Sequence, residues 1–253
     1  MHLFLFILFV SAIASLATYL SSVAVAIYAL SFWHYYIYWL AYLFRAVPLA
    51  AFKRDAIMMK CVSIAVLAWA FLSGTLDFLS LSVVTLGFAL NTYAAMKLGS
   101  DRSYYGYEVG GFPHQRITSF PYSMTAHPML IGNIVAFSGT MINADFRDHW
   151  WPLAVGHAAM NVGLLIMETA INADSRFVRF VRATSVAARY VIGIAVLALG
   201  AAIGYAAGEP LHPAIGALVG LIASAYALAL FSLYTISERE NMGHHTITDR
   251  NVT

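Results

Sequence analysis

Apolar runs as long as a bilayer is thick leave this chain few ways to fold. Leu3 to Leu30 contains no charged residue, and several further runs exceed the roughly 18 residues that mark a membrane-spanning helix. With 61% of residues hydrophobic and 10% charged, the expected fold is all-α, a polytopic transmembrane helical bundle. The net charge of +2 gives no basis for a nucleic-acid partner. The single cysteine, Cys61, permits neither an intramolecular disulfide nor a cysteine-based metal site. The first run, MHLFLFILF onward, lacks a basic leader and outlasts a signal-peptide core, so it reads as a retained span.

Spans are expected at Leu3–Leu30, Ile57–Ser73, Asp77–Lys97, Pro128–Asn143, Trp150–Ala170, Ala188–Gly208 and Pro213–Ile236, about seven in all. Between the first two lies FWHYYIYWLAYLF, Phe32 to Phe44. It is short for a crossing and rich in Tyr and Trp, which gather at membrane interfaces. It therefore reads as an interfacial or re-entrant helix anchored by Tyr35, Tyr36, Tyr38 and Trp39, with room for a lipid acceptor beside it. If it spans instead, the topology before it inverts.

Loop charges orient the bundle. Arg45, Lys53, Arg54 and Lys60 follow the first span, Lys97, Arg102 and Arg116 the third, and Arg176, Arg179, Arg182 and Arg189 the fifth. The connections near Gly74, Asp145–His149 and Glu209 are neutral or acidic on balance. Positive charge marks the cytoplasmic side, which places the N-terminus outside or in the lumen and the C-terminus in the cytoplasm. No hydrophilic linker divides the chain, so residues 1–253 form one domain, with a catalytic core at about 57–182 and an extra helix pair at about 188–236. That pair carries Gly200, Gly204, Gly208, Gly216 and Gly220 at four-residue spacing. Such spacing lets backbones approach closely, within the chain or in a homodimer.

One long polar interval breaks the apolar pattern: YYGYEVGGFPHQRITSFPYSMTAHPMLIG, Tyr104 to Gly132, on the cytoplasmic side. Gly106, Gly110 and Gly111 could let backbone approach a cofactor or merely turn the chain. YYGYEVGG is not a dinucleotide fingerprint, and no phosphate-binding GKS or GKT is present. Asn91, Asn133, His157 and Asn161 lie within apolar spans, where hydrogen bonding between helices is their ordinary use. His244 and His245 stand without the ligand run that a zinc site needs.

The wider pattern, GFALNTYAAMKLG from Gly87, YYGYEVG, RITSFPYSMTAHPMLIG and LLIMETAINAD around Glu168, resembles the phospholipid N-methyltransferase family. The resemblance covers roughly a third of the chain, and its order and spacing are more specific than any one piece. It implies transfer of a methyl group from S-adenosylmethionine to the amine headgroup of phosphatidylethanolamine or its methylated derivatives, toward phosphatidylcholine, with no metal. By the same resemblance Tyr105, Gly106, Gly110, Arg116, Pro128, Met129, Gly132 and Glu168 are expected at the cofactor, and the endoplasmic reticulum is favoured over a bacterial inner membrane. Val109, Leu130 and Thr169 depart from the family pattern.

The cofactor carries a sulfonium, an ammonium and a carboxylate, so its site needs both signs of charge; Glu168 and Arg116 are the expected pair. An ionisable Glu at the end of a membrane helix is costly unless used or paired. Transfer to nitrogen needs the amine unprotonated, and imidazole is the side chain best matched to that task near neutral pH. His127 is thus a candidate general base, a hydrogen bond to backbone or cofactor being its other use, with Glu108 and His114 as alternative bases in the same loop. Two other functions fit the composition: a membrane methyltransferase acting on an isoprenylcysteine carboxylate or a small thiol, and a non-enzymatic transporter or scaffold.

Overall fold

A computed structural model describes residues 2–44, 48–107, 109, 112–113, 116–170, 214–226, 228–229 and 232. The described residues are helical and contain no strand. In chain order they form α1 (His2–Tyr19), α2 (Val23–Phe44), α3 (Leu49–Leu72), α4 (Phe78–Leu98), a short 3-10 turn (Arg102–Tyr104), α5 (Pro128–Thr140) and α6 (Ala144–Ala170). A further helix, α7, runs from Ala214 to Tyr226. Four of these, α1, α3, α4 and α6, are long and apolar enough to cross a membrane, so the bundle is as expected, and among the described residues its long spans are fewer than seven. The expected span Ala188–Gly208, with Gly200, Gly204 and Gly208, lies outside the described residues, as do Arg45, Arg176, Arg179, Arg182, Arg189, Glu209 and the His244–His245 pair.

Three expectations need correction. The run Leu3–Leu30 is two helices, broken at Ser21, whose φ of 50° leaves the helical region. A straight helix over that run would measure about 42 Å at 1.5 Å per residue, well beyond a hydrocarbon core of about 30 Å. The aromatic run is therefore the second half of α2, and its described side chains pack into the bundle. Trp33 is fully buried and its indole N–H donates to the Met59 carbonyl at 3.1 Å; Tyr35 and Tyr42 are buried too. Interior partners for the polar tips remove the need for an interface. Lastly, α5 has 13 residues, only about 20 Å of helix, and the chain turns at Met141–Asn143 straight into α6.

Because α1 and α2 form a hairpin, the N-terminal end moves to the other side of the bundle from that expected. His2 Nδ1 lies 2.7 Å from Asp55 Oδ2 at the start of α3, and Lys53 pairs with Asp101 and Ser100 just after α4. The start of α1, the start of α3, the end of α4 and the long loop thus share one end. At the opposite end Asn143 Nδ2 donates to the Thr75 carbonyl at 2.7 Å, and the Thr75 N–H donates to Asp145 at 2.8 Å.

Close backbone contact fixes α4 on α5. A Cβ on Gly87 would sit 2.5 Å from the Ala136 nitrogen, and one on Gly132 would sit 2.6 Å from the Gly87 carbonyl oxygen. Ser80 Oγ donates across the same seam to the Gly139 carbonyl at 2.8 Å. Lipid tails are as apolar as Leu, so packing and interhelical hydrogen bonds hold such a pair together. Gly216 and Gly220 are buried within this chain, and α7 stacks Tyr226 on Phe9 and Trp33, with centroids 4.7 and 5.4 Å apart.

Candidate active site

At the loop end, α2, α3, α4, α5 and α6 surround a cavity of about 240 Å³ beneath the Tyr104 loop. The loop is pinned over it by Lys53 through Ser100 and Asp101 and by the Tyr105 ring. Tyr105 is buried against Tyr42 and Phe52, at centroid distances of 5.3 and 6.2 Å, while its backbone is left-handed at φ 58°. A bulky residue holds that conformation only when its surroundings over-determine it, and the aromatic socket does so here.

His127 and Glu168 meet in this cavity. His127 occupies the position before α5, with Pro128 as the first helical residue, where a missing N–H costs nothing. Glu168 ends α6, an end whose dipole disfavours a carboxylate. His127 Nδ1 lies 2.9 Å from Glu168 Oε2, and the imidazole offsets that disfavoured charge. Both side chains are about one fifth to one quarter exposed, so the pair is open to the cavity. With Nδ1 donating to the carboxylate, Nε2 is left as an acceptor.

Aromatic and amide groups complete the wall. The Tyr122 phenol donates to the Ala94 carbonyl at 3.2 Å; burial, and then the charge of Glu168, push its pKa up to about 12. The Tyr104 phenol, which shares a hydrogen bond with Tyr38, is also raised, chiefly by burial. Asn91 Nδ2 donates to the Met129 carbonyl at 2.9 Å and so holds the first turn of α5. Asn133 donates to Asn161 at 2.9 Å, and Asn161 donates to the Tyr35 hydroxyl at 2.9 Å. His157, flat between Phe32 and Phe137, closes the network through Tyr35 at 3.0 Å.

Of the residues expected at the site, Tyr105, His127, Pro128, Met129 and Glu168 line the cavity together. Gly106 and Gly132 are buried beside it rather than on its wall. Gly106 packs on the Asp101 carbonyl, where a Cβ would come within 2.6 Å, and Gly132 packs on α4. Arg116 is exposed and does not line the cavity. Glu108, Gly110, Gly111 and His114 lie outside the described residues. The cation on the wall is instead Arg102, whose Nε is buried with no hydrogen-bond partner among the described residues. Lys60 is a second. In the sequence both serve only as topology signals, although Lys60 falls three residues inside an apolar run, where an ionisable group points to function. Among the described residues no cluster of three or more potential metal ligands occurs.

A second, apolar cavity of about 490 Å³ adjoins the first and shares His34, Tyr35, Lys60, Asn91 and Asn133 with it. It descends between α3 and α4, which are not packed along one another because α4 is committed to α5. Together the two fall in the roughly 300–1,000 Å³ range of small-molecule sites, one part polar and one part greasy.

No curated protein and no solved structure matches the chain. Residues 76–173, which contain α4, the loop, α5 and α6 with His127 and Glu168, match the model of the phospholipid methyltransferase family, the family that the ordered LN, YYG, FP and HP motifs resemble.

Proposed function

We propose that this protein transfers the methyl group of S-adenosylmethionine to the amine headgroup of phosphatidylethanolamine or its methylated derivatives at the loop-end cavity. The observation that carries the reading is the meeting of His127 and Glu168, both from the family-matched segment, in a polar chamber that opens into an apolar one. Such a two-part site suits a charged soluble cofactor and an acyl-bearing acceptor at once. In this reading Arg102 meets the cofactor carboxylate, the role first expected of Arg116. Glu108 and Gly110 keep their expected parts as second base candidate and cofactor-approaching glycine, and Gly106 and Gly132 shape the cofactor site through the backbone. The reaction belongs at the membrane surface bearing Lys53, Arg54, Lys97 and Arg116, the cytoplasmic face by the positive-inside rule, with the endoplasmic reticulum favoured.

The chemistry then follows from the wall. Glu168 orients the imidazole, His127 Nε2 takes a proton from the ammonium, and the freed nitrogen lone pair attacks the methyl carbon in line with the sulfur. The carbon–sulfur bond breaks with its electron pair passing to sulfur, which leaves a neutral thioether. Positioning supplies much of the acceleration, since well-oriented reactants are worth up to about 7–11 kcal/mol.

The test is incubation of the purified chain with radiolabelled S-adenosylmethionine and phosphatidylethanolamine or its mono- and dimethyl forms. Label is expected in the lipid fraction, and Glu168→Ala and His127→Ala should each lower it at least about a hundredfold, the lower range for general acid–base groups. Full activity of Glu168→Ala in folded protein would remove the site assignment, and absence of both labelling and cofactor binding in the wild type would remove the function.

A further inference from the structure

Lys60 has no ion-pair or hydrogen-bond partner among the described residues, although it is partly buried and lines both cavities. A charged side chain within a membrane helix is expensive unless something answers it. Charged residues gather at the ends of membrane spans, so the run Lys53–Arg54–Asp55 assigns the membrane surface on α3, and Lys60 lies about 8 Å along the helix from it, five residues at 1.5 Å each. Below Lys60 the same face of α3 presents Ile64, Leu67 and Phe71 to Val84 and Phe88 of α4 across the apolar cavity. From Lys60 to Phe71 is about 16 Å of helix, close to half a hydrocarbon core of about 30 Å. Ile64 and Leu72 on this cavity are exposed, so the gap between α3 and α4 is open sideways.

Resting on the proposed function, we propose that Lys60 receives the anionic phosphodiester of a glycerophospholipid. One acyl chain of that lipid lies in the apolar cavity between α3 and α4. The headgroup amine is thereby directed up into the polar chamber toward His127 and Glu168. The division of cations follows from position: Arg102 touches only the loop-side chamber, whereas Lys60 stands at the junction with the apolar one. Lys60 is a positioning and specificity residue, since its partner is the phosphate and not the reacting nitrogen.

The full chain in detergent is titrated with a pyrene-labelled phosphatidylethanolamine and with the matching pyrene-labelled diacylglycerol, which lacks the phosphate. S-adenosylmethionine affinity is measured in parallel. Wild type is expected to bind the phospholipid at least roughly tenfold more tightly, the lower range for a charged hydrogen bond. Lys60→Met should abolish that preference without changing cofactor affinity, and Lys60→Arg should restore most of it. Ala154→Phe, which fills the apolar cavity from α6, should weaken both lipids equally and leave the preference intact. An undiminished preference in Lys60→Met overturns the proposal, and so does loss of cofactor affinity in its place, or displacement of the lipid by equimolar inorganic phosphate. These readouts do not require methyl transfer: a Lys60-dependent preference in a wild type that neither labels lipid nor binds the cofactor would keep the lipid site and remove the enzyme, whereas normal labelling with an unchanged KM in Lys60→Met would do the reverse.

Discussion

Glu168 shows how much one residue's meaning depends on its neighbours. As a carboxylate ending an apolar helix it was conspicuous in the sequence; that its partner is His127, 41 positions earlier, is a fact of the fold. Tyr122 was less conspicuous, being one tyrosine among 15. Its raised pKa gives a test with a definite sign. The folded state favours the neutral phenol, so the associated stability is complete below the ordinary value of 10.0 and is lost as pH rises from there through about 12. Alkaline titration followed by circular dichroism should show wild type losing stability over this interval more steeply than Tyr122→Phe; parallel curves would mean that Tyr122 is not held as described. Lys60 and Arg102 were visible as charges but were credited to topology, because a loop arginine and a cavity arginine look alike until the loop has been folded.

Elements were legible where one local rule governed them. Asp77 precedes α4 as an N-cap, its carboxylate accepting from the Ser80 N–H at 2.7 Å, and the expected span start at Asp77 agrees. The end of α3 at Leu72, the end of α4 and the start of α5 at Pro128 also fall within a residue of their expected places, whereas α3 begins at Leu49, eight residues before the expected Ile57, because Lys53, Arg54 and Asp55 interrupt the apolar run without interrupting the helix. The break at Ser21 was not legible, since neither serine there is a strong breaker and the decisive quantity was length against bilayer thickness. The α4–α5 seam sets an element-scale prediction. Gly87→Ala should lower stability by roughly 1–3 kcal/mol, the usual cost of overpacking, because the three contacted atoms are all backbone and cannot swing aside. Asp77→Ala should cost about 1 kcal/mol, as for a lost cap. Thermal unfolding in detergent checks both, and a Gly87→Ala protein as stable as wild type would refute the close contact.

At the scale of the whole molecule the α1–α2 hairpin decides sidedness. With Cys61 replaced by Ser, a membrane-impermeant maleimide applied to sealed vesicles should label His2→Cys and Ser119→Cys from the same side, and Thr75→Cys from the other. Labelling of His2→Cys with Thr75→Cys would restore the single long first span. What the sequence determined by itself was membrane residence, helical class and the family resemblance. These rest on run length, composition and the order of short motifs, all local along the chain. Only the tertiary structure decided that the aromatic run is interior, that Arg102 rather than Arg116 faces the cavity, and that Lys60 joins its two halves. Those facts depend on which helix faces come together, and that is settled by close packing between segments far apart in sequence, such as Gly87 against Gly132 and His2 against Asp55.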